Sequence, residues 1–366
     1  MQKYIHQNPN WHNFEWEDRK ITELLGKVRN LQGKIIGKME VLGFKFRDEA
    51  TLESLSNEII KTNEIEGEIL NPEKVRSSVA EKLGIKIAGI KKRDRYIDGI
   101  VELMLDATKN FEEPLTRERL FSWHIALFPY GRSGMRKINT GKWRDDKKGP
   151  MQVVSGPMGN ETVHFEAPES HRIENEMSEF LNWFNYKEGL DLFIKAAIAH
   201  LWFITIHPFE DGNGRIARAI SEMLLTRADG ISSRYYSMSA QINIEREDYY
   251  NILEATQKGS YDITDWLIWF LKCLEKALLS SEKAIEKIIK KYIFLSAHTG
   301  IKLNERQLKI INLLFDDFKG NLTTGKYAKI MKCSTDTALR DINDLINKSI
   351  LTRTESGGRN TSYRLK

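Results

Sequence analysis

The chain has 366 residues, room for two or three domains of roughly 100–200 residues each. Its 41% hydrophobic content supports packed cores and excludes global disorder, and no apolar run approaches the ~20 residues of a membrane span. Net charge is +5, but residues 301–366 carry 13 Lys/Arg against 7 Asp/Glu and the other 300 residues 43 against 44, so an anionic partner such as DNA is expected at the C-terminal end.

The opening stretch MQKYIHQNPNWHNF lacks the apolar core of a secretory signal. Cys273 and Cys333 form no spaced pair, which argues against a disulfide framework or a cysteine zinc cluster. A reducing cytoplasm is therefore the expected compartment.

The first ~110 residues read as helical. Leu24, Leu25, Val28, Leu31, Ile35 and Met39 follow three-and-four spacing over 21–43, and Leu52, Leu55, Ile59 and Thr62 repeat it over 51–70. Asn71-Pro72 punctuates the chain before a further helical stretch. Glycine-rich punctuation then dominates from Phe121, where MQVVS and ETVHF around GPMGN read as a β-hairpin. Helical patterns resume after Pro168, and DLFIKAAIAHLWFITI leads directly into His207. SEKAIEKIIKKYIF (281–294) reads as a charged helical connector. Three further helical stretches and two β-prone runs around Gly357-Gly358 predict a winged helix-turn-helix. The predicted fold is thus mainly α. An N-terminal helical domain spans 1–110, a core 111–280, a helical linker 281–300 and a winged helix-turn-helix 301–366.

The most informative string is HPFEDGNGRIAR, residues 207–218. Pro208 disfavours helix at His207, so the apolar helix should end there, and Ile216, Ile220, Met223 and Leu224 mark a new helix from about Asn213. Its unpaired first-turn N–H groups and positive dipole end form an anion site. Gly212 and Gly214 let a phosphate approach the backbone, and Arg215 and Arg218 can add bidentate contacts. Asp211 can hold magnesium against phosphate oxygens, and His207 can accept a hydroxyl proton. A calcium loop would use Asp211, Asn213 and Glu222, but Arg215 and Ile216 occupy the places that need an oxygen ligand and a glycine. The string is not a P-loop, since no lysine–hydroxyl pair follows the glycines.

HPFEDGNGRIAR resembles the Fic family signature H-x-F-x-[D/E]-G-N-G-R-x-x-R at every specified position. The resemblance implies AMP transfer from ATP to a hydroxyl of a target protein, with His207 as base and Asp211 as the Mg2+ ligand. It makes Gly212, Asn213 and Gly214 the phosphate cradle, gives Arg215 and Arg218 the β- and γ-phosphates, and leaves Phe209 a buried anchor. Val153, Val154, Ser155 and Gly156, with the returning Val163-His164-Phe165, resemble the family's flap, along which an incoming strand aligns its hydroxyl. Tyr249, Tyr250 and Gln257 resemble its adenine-side wall, although relatives often carry asparagine at the last position.

Thr62-Asn63-Glu64-Ile65-Glu66-Gly67 matches the family's inhibitory motif [S/T]-x-x-x-E-[G/N]. Here the resemblance implies that Glu66 pairs with Arg218 and takes the place of the γ-phosphate. In some relatives this glutamate also supports removal of AMP. Self-modification and homodimer formation are further expectations from the family. Transfer of phosphocholine, UMP or a phosphoryl group is the rival chemistry, and an intact G-N-G-R favours AMP. The rival function is DNA-binding regulation through residues 301–366; against it, Asp336, Asp341 and Asp344 on the expected recognition helix would repel phosphate if they faced DNA.

Overall fold

A computed structural model describes residues 3–40, 44–87, 91–147, 149–156, 159–160, 162–298, 300–315, 318, 320–354 and 361–366. It divides into two compact units, Met1–Glu282 and Lys283–Lys366.

In the first unit a 3-10 turn at Ile5–Gln7 precedes α1 (Asp18–Glu40), α2 (Phe44–Ile65), α3 (Pro72–Leu83), α4 (Arg95–Lys109) and α5 (Arg117–Leu127). Two short antiparallel hairpins follow, β1 (Arg132–Ser133) with β2 (Arg136–Lys137), and β3 (Gln152–Ser155) with β4 (Thr162–Glu166). Then come α6 (Ile173–Tyr186), α7 (Leu192–Ile206), α8 (Asn213–Asp229), α9 (Met238–Ile244), α10 (Arg246–Gln257) and α11 (Thr264–Ala297), whose residues from Lys283 on belong to the second unit. The fold is mainly α, as the periodicity predicts. The stretch expected to be helical over 51–70 stops at Ile65, because Gly67 turns left-handed at φ 81° and the Glu66 and Glu68 amides both donate to the Asn63 carbonyl. The 281–294 connector is the latter half of α11 rather than an element of its own.

α7 is buried from Phe193 to its end and packs along α8, which α2, α4 and α5 also touch. Local chemistry sets the ends of these helices. The Asn71 side chain accepts from the Lys74 amide with Pro72 in the first turn, and the Asp191 side chain caps α7 through the Phe193 amide. α2 is fixed by polar contacts as well as packing. Buried Glu58 accepts from Ser237 Oγ (2.7 Å) and the Ser239 amide (2.9 Å), and Ser54 Oγ donates to the Tyr236 carbonyl (2.9 Å). At the far end of α8, Arg234 is buried between Glu222 (2.8 Å) and Asp229 (3.2 Å) and stacks on Tyr236. Burial pushes both of those carboxyls upward, with Arg234 opposing the shift. Gln32 of α1 donates to Asp229 (2.6 Å), which ties the N-terminal helix to the same end.

The second unit contains α12 (Glu305–Phe315), α13 (Thr324–Met331), α14 (Thr335–Asn347) and an antiparallel pair, β5 (Leu351–Arg353) with β6 (Tyr363–Leu365). Ile310, Tyr327, Ala338, Ile342, Leu345 and Leu351 are among the residues of a core of its own. The expected Gly357-Gly358 turn lies outside the described residues, as do two residues of the GPMGN turn, Pro157 and Met158. Among the described residues no helix is long and apolar enough to cross a membrane.

Replacing Arg234 with Met strands two buried carboxylates, so stability should fall by about 3–5 kcal/mol. Urea unfolding checks this, and an unchanged midpoint would contradict the account of that cluster.

Candidate functional site

The site lies where α7 ends and α8 begins. His207 is left-handed (φ 52°, ψ 58°), and its amide still closes the last turn of α7 on the Phe203 carbonyl (3.1 Å). The Ile204 carbonyl, 3.2 Å from Nδ1, can only accept, so Nδ1 carries the proton and Nε2 keeps its lone pair. Burial, helped by the Arg144 guanidinium, lowers the His207 pKa to about 4. The ring is therefore neutral at pH 7 and free to accept a proton at Nε2.

Two side chains brace the loop that follows. Asn213 accepts from the Phe209 amide (3.0 Å) and donates to the Phe209 carbonyl (2.8 Å), which closes the loop on itself. Its side chain is thus engaged inside the loop, and its backbone N–H is what it can offer an anion. Buried Arg144 donates to the His207 carbonyl (2.8 Å) and to the Pro168 carbonyl, and pairs with Asp146 (2.7 Å). Phe209 is buried, stacked on His124, whose Nε2 donates to the Asp211 carbonyl (3.2 Å).

Gly212 has φ 79°, a left-handed turn that lets α8 start at Asn213. The Asp211 carboxylate accepts from the Gly212 amide (2.5 Å) and from Ser133, and its side chain remains 41% exposed. α8 thus presents its first amides beside an exposed carboxylate, opposite a neutral imidazole.

The two arginines of the string reach different partners. Buried Arg218 donates through Nε to Thr62 Oγ1 (2.6 Å), and through NH2 to the Thr62 carbonyl (2.9 Å) and to Glu66 (2.6 Å). Equally buried, Arg215 donates to Glu68 (2.9 Å) and to the Tyr96 hydroxyl (3.0 Å). Arg218 NH1 and Arg215 Nε are buried without a hydrogen-bond partner among the described residues. A Cβ at Gly214 would run into Glu66 Oε1 and come within 3.2 Å of Arg218 NH1. The Glu66 carboxylate therefore sits on the mouth of α8, in the space the missing side chain leaves.

Val153 and Val154 are 37% and 48% exposed on β3, and Ser155 and Gly156 continue its exposed edge. His164 of β4 bonds Ser155 Oγ (2.6 Å) and Glu254 of α10 (2.7 Å), which ties the hairpin to that helix. Tyr249 and Gln257 point their polar ends away from solvent. Both are buried, the Tyr249 hydroxyl on His200 Nε2 (2.9 Å) and Gln257 Nε2 on Thr205 Oγ1 (3.2 Å), so their polar ends are occupied inside the core. Tyr250 is the exposed member of the three, and its hydroxyl donates to the Ile65 carbonyl at the end of α2. Ser133, Arg144, Glu68 and Tyr96 were invisible to motif reading, since their partners lie 60 to 150 positions away; Glu68, two residues past Glu66, carried the one available signal.

Residues 114–225 match the Fic/DOC family, and residues 4–85 match a domain of unknown function (DUF4172). A curated relative, protein adenylyltransferase Fic of Drosophila willistoni, is 35% identical over 104 residues, which is 28% of this chain and 19% of that protein. The protein of the same name from Nematostella vectensis is 33% identical over 116 residues, 31% of this chain and 24% of its own length. The chain thus spans about a fifth to a quarter of these relatives. A crystal structure of a Fic family protein from Desulfovibrio desulfuricans G20 shares the fold, at TM-score 0.54 and 20% identity over 95% of this chain and 96% of that one. The chain carries a Fic domain.

Glu66 and the absent Cβ of Gly214 occupy one space, so their effects should couple. Gly214→Ala should cost about 1–2 kcal/mol more in the wild type than in a Glu66→Gly background. A double-mutant cycle read by urea unfolding measures the difference, and additivity would contradict this packing.

Proposed function

We propose that this Fic-domain protein transfers AMP from ATP to a hydroxyl of a target protein, and that Glu66 inhibits the transfer in cis. The carrying observation is the tautomer of His207: Nε2 is an unprotonated acceptor at the mouth of a helix whose amides and arginines suit phosphate. His207 Nε2 takes the target's hydroxyl proton as its oxygen attacks the α-phosphorus. The new O–P bond forms, the bond to the β-phosphate breaks, and pyrophosphate leaves. The α8 amides and Arg218 hold the phosphates in line, and Arg144 and Asn213 keep the imidazole and loop in register.

Asp211 fits a magnesium site, with one exposed carboxylate beside the phosphate cradle. A bound magnesium ion would neutralise charge on the phosphate oxygens. The exposed Val153–Ser155 edge suits an extended target segment paired as an added strand. The Glu66–Arg218 pair supports inhibition, since both groups meet where a terminal phosphate would need the guanidinium. Glu66→Gly should raise incorporation of labelled AMP from ATP about tenfold or more, and His207→Ala in that background should lower it about 100-fold or more. Equal labelling by wild type and Glu66→Gly would overturn the inhibition, and labelling that survives His207→Ala would overturn the mechanism.

A second role is favoured by one observation in the C-terminal unit. Asp341, one of the acidic residues that argued against nucleic acid, is tied inward. Buried Asp341 accepts from Arg306 (2.8 Å), Asn304 (2.9 Å) and Tyr327 (3.0 Å), and Asp344 accepts from Gln307 (2.7 Å) and Lys348 (2.5 Å). Arg340, Asn343 and Asn347 lie along one stripe of α14, shared with Asp344, which Lys348 pairs, and with Asp336 in the first turn. We propose that this unit is a winged helix that contacts duplex DNA through that stripe. Binding of the full chain to a labelled duplex should weaken tenfold or more between about 50 and 200 mM salt, and further with Arg340→Ala. No binding at low salt would exclude the role.

A further inference from the structure

Buried guanidinium groups need an anion, and the α8 mouth holds two of them with two different carboxylates already in place. Glu66 holds Arg218. Glu68 lies outside the inhibitory motif and holds Arg215 through a closed three-membered arrangement, at shorter range than Asp211 (3.8 Å) or Asn63 (3.4 Å). Tyr96 gives its single hydroxyl proton to Glu68, and Arg215 NH1 donates both to that carboxylate (2.9 Å) and to the Tyr96 oxygen (3.0 Å). Arg215 is 2% exposed, whereas the Glu68 side chain is 35% exposed.

The carboxylate also has somewhere to go. Glu68 lines an open cavity of about 700 Å3, together with Lys74, Tyr96, Phe128, Arg132 and Ser133. The neighbouring Ile69 is 89% exposed, and Gly67 provides a left-handed pivot on the other side. Glu68 can therefore swing outward past Arg132 and past Lys74, itself paired with Asp94 (3.0 Å), without opening the core, while Arg215 stays packed against the Phe128 ring.

We infer that Glu68 is a second anionic latch: it occupies Arg215 in place of a nucleotide phosphate, so that each arginine of the anion site is blocked by its own carboxylate from the turn after α2. This rests on the nucleotide reading above and extends it. Removing Glu66 frees Arg218 and leaves Arg215 tied, so Glu66→Gly alone releases only part of the phosphate affinity. AMP, which lacks the phosphates assigned to Arg215, should be indifferent to Glu68.

Calorimetric titration of the full chain tests this without any transfer step. In a Glu66→Gly background, Glu68→Gln should tighten ADP and ATP about tenfold and leave AMP unchanged. Unchanged or weakened ADP binding would overturn the latch, weakening being what a purely supporting role for Arg215 would produce. If Glu68→Gln fails to fold, Tyr96→Phe removes the hydroxyl that holds Glu68 and should tighten ADP in the same direction; no tightening there overturns the latch as well. If Glu66→Gly binds no nucleotide, the nucleotide reading falls. Inorganic pyrophosphate then serves as the probe: tightening by Glu68→Gln upholds an anion latch, and no change removes it.

Discussion

Two buried guanidinium groups at the start of one helix set the terms for the rest of the molecule. Arg215 and Arg218 lie on adjacent turns of α8, both almost fully out of water, beside amides that have no partner within the helix. A buried cation left alone is strongly unfavourable, so something anionic must stand there in every stable state of the protein. In this structure the direct partners are Glu66 and Glu68, supplied by the turn that ends α2, with Asp211 3.8 Å from Arg215. Any phosphate that enters must displace carboxylates that already complete the charge balance. In the proposed function, inhibition and substrate binding are two ways of satisfying one electrostatic demand.

The surrounding fold keeps that competition at a fixed place. α2 is held against the α9 region by Glu58 and Ser54, so the turn bearing Glu66 is presented to α8 rather than left loose. Asn213 and Arg144 brace the loop between α7 and α8, and the left-handed His207 ends α7 with its Nδ1 on the Ile204 carbonyl. Burial keeps that ring neutral, with its proton on the nitrogen that faces the Ile204 carbonyl. Each of these contacts acts on position or protonation, the two things a base and a phosphate cradle need to share.

Much of this was legible in the sequence because the chemistry is local. His207, Asp211, Gly212, Gly214 and the two arginines fall within twelve positions, and helix geometry alone brings them to one mouth. Glu66 was legible through motif spacing, and its partner Arg218 through the same resemblance. Spacing failed where the face of a helix decides the outcome. Tyr249 and Tyr250 are adjacent, and packing sends one into the core against His200 while the other stays at the surface. The place of Asn213 between two glycines gave no sign that its amide side chain closes the loop on Phe209. Arg144, Ser133 and Tyr96 act through contacts with residues far away in the chain, and a single sequence carries no trace of such pairs. In the C-terminal unit, Asp341 of α14 read as part of a barrier to DNA until its partner Arg306 on α12 became visible.

A crystal structure of the Glu66→Gly variant with a non-hydrolysable ATP analogue and magnesium tests the central claim most directly. The account predicts phosphates on the first amides of α8, Arg218 turned from Thr62 onto them, and the α-phosphorus facing His207 Nε2. A triphosphate bound away from that helix, with Arg218 still on Thr62, would contradict it.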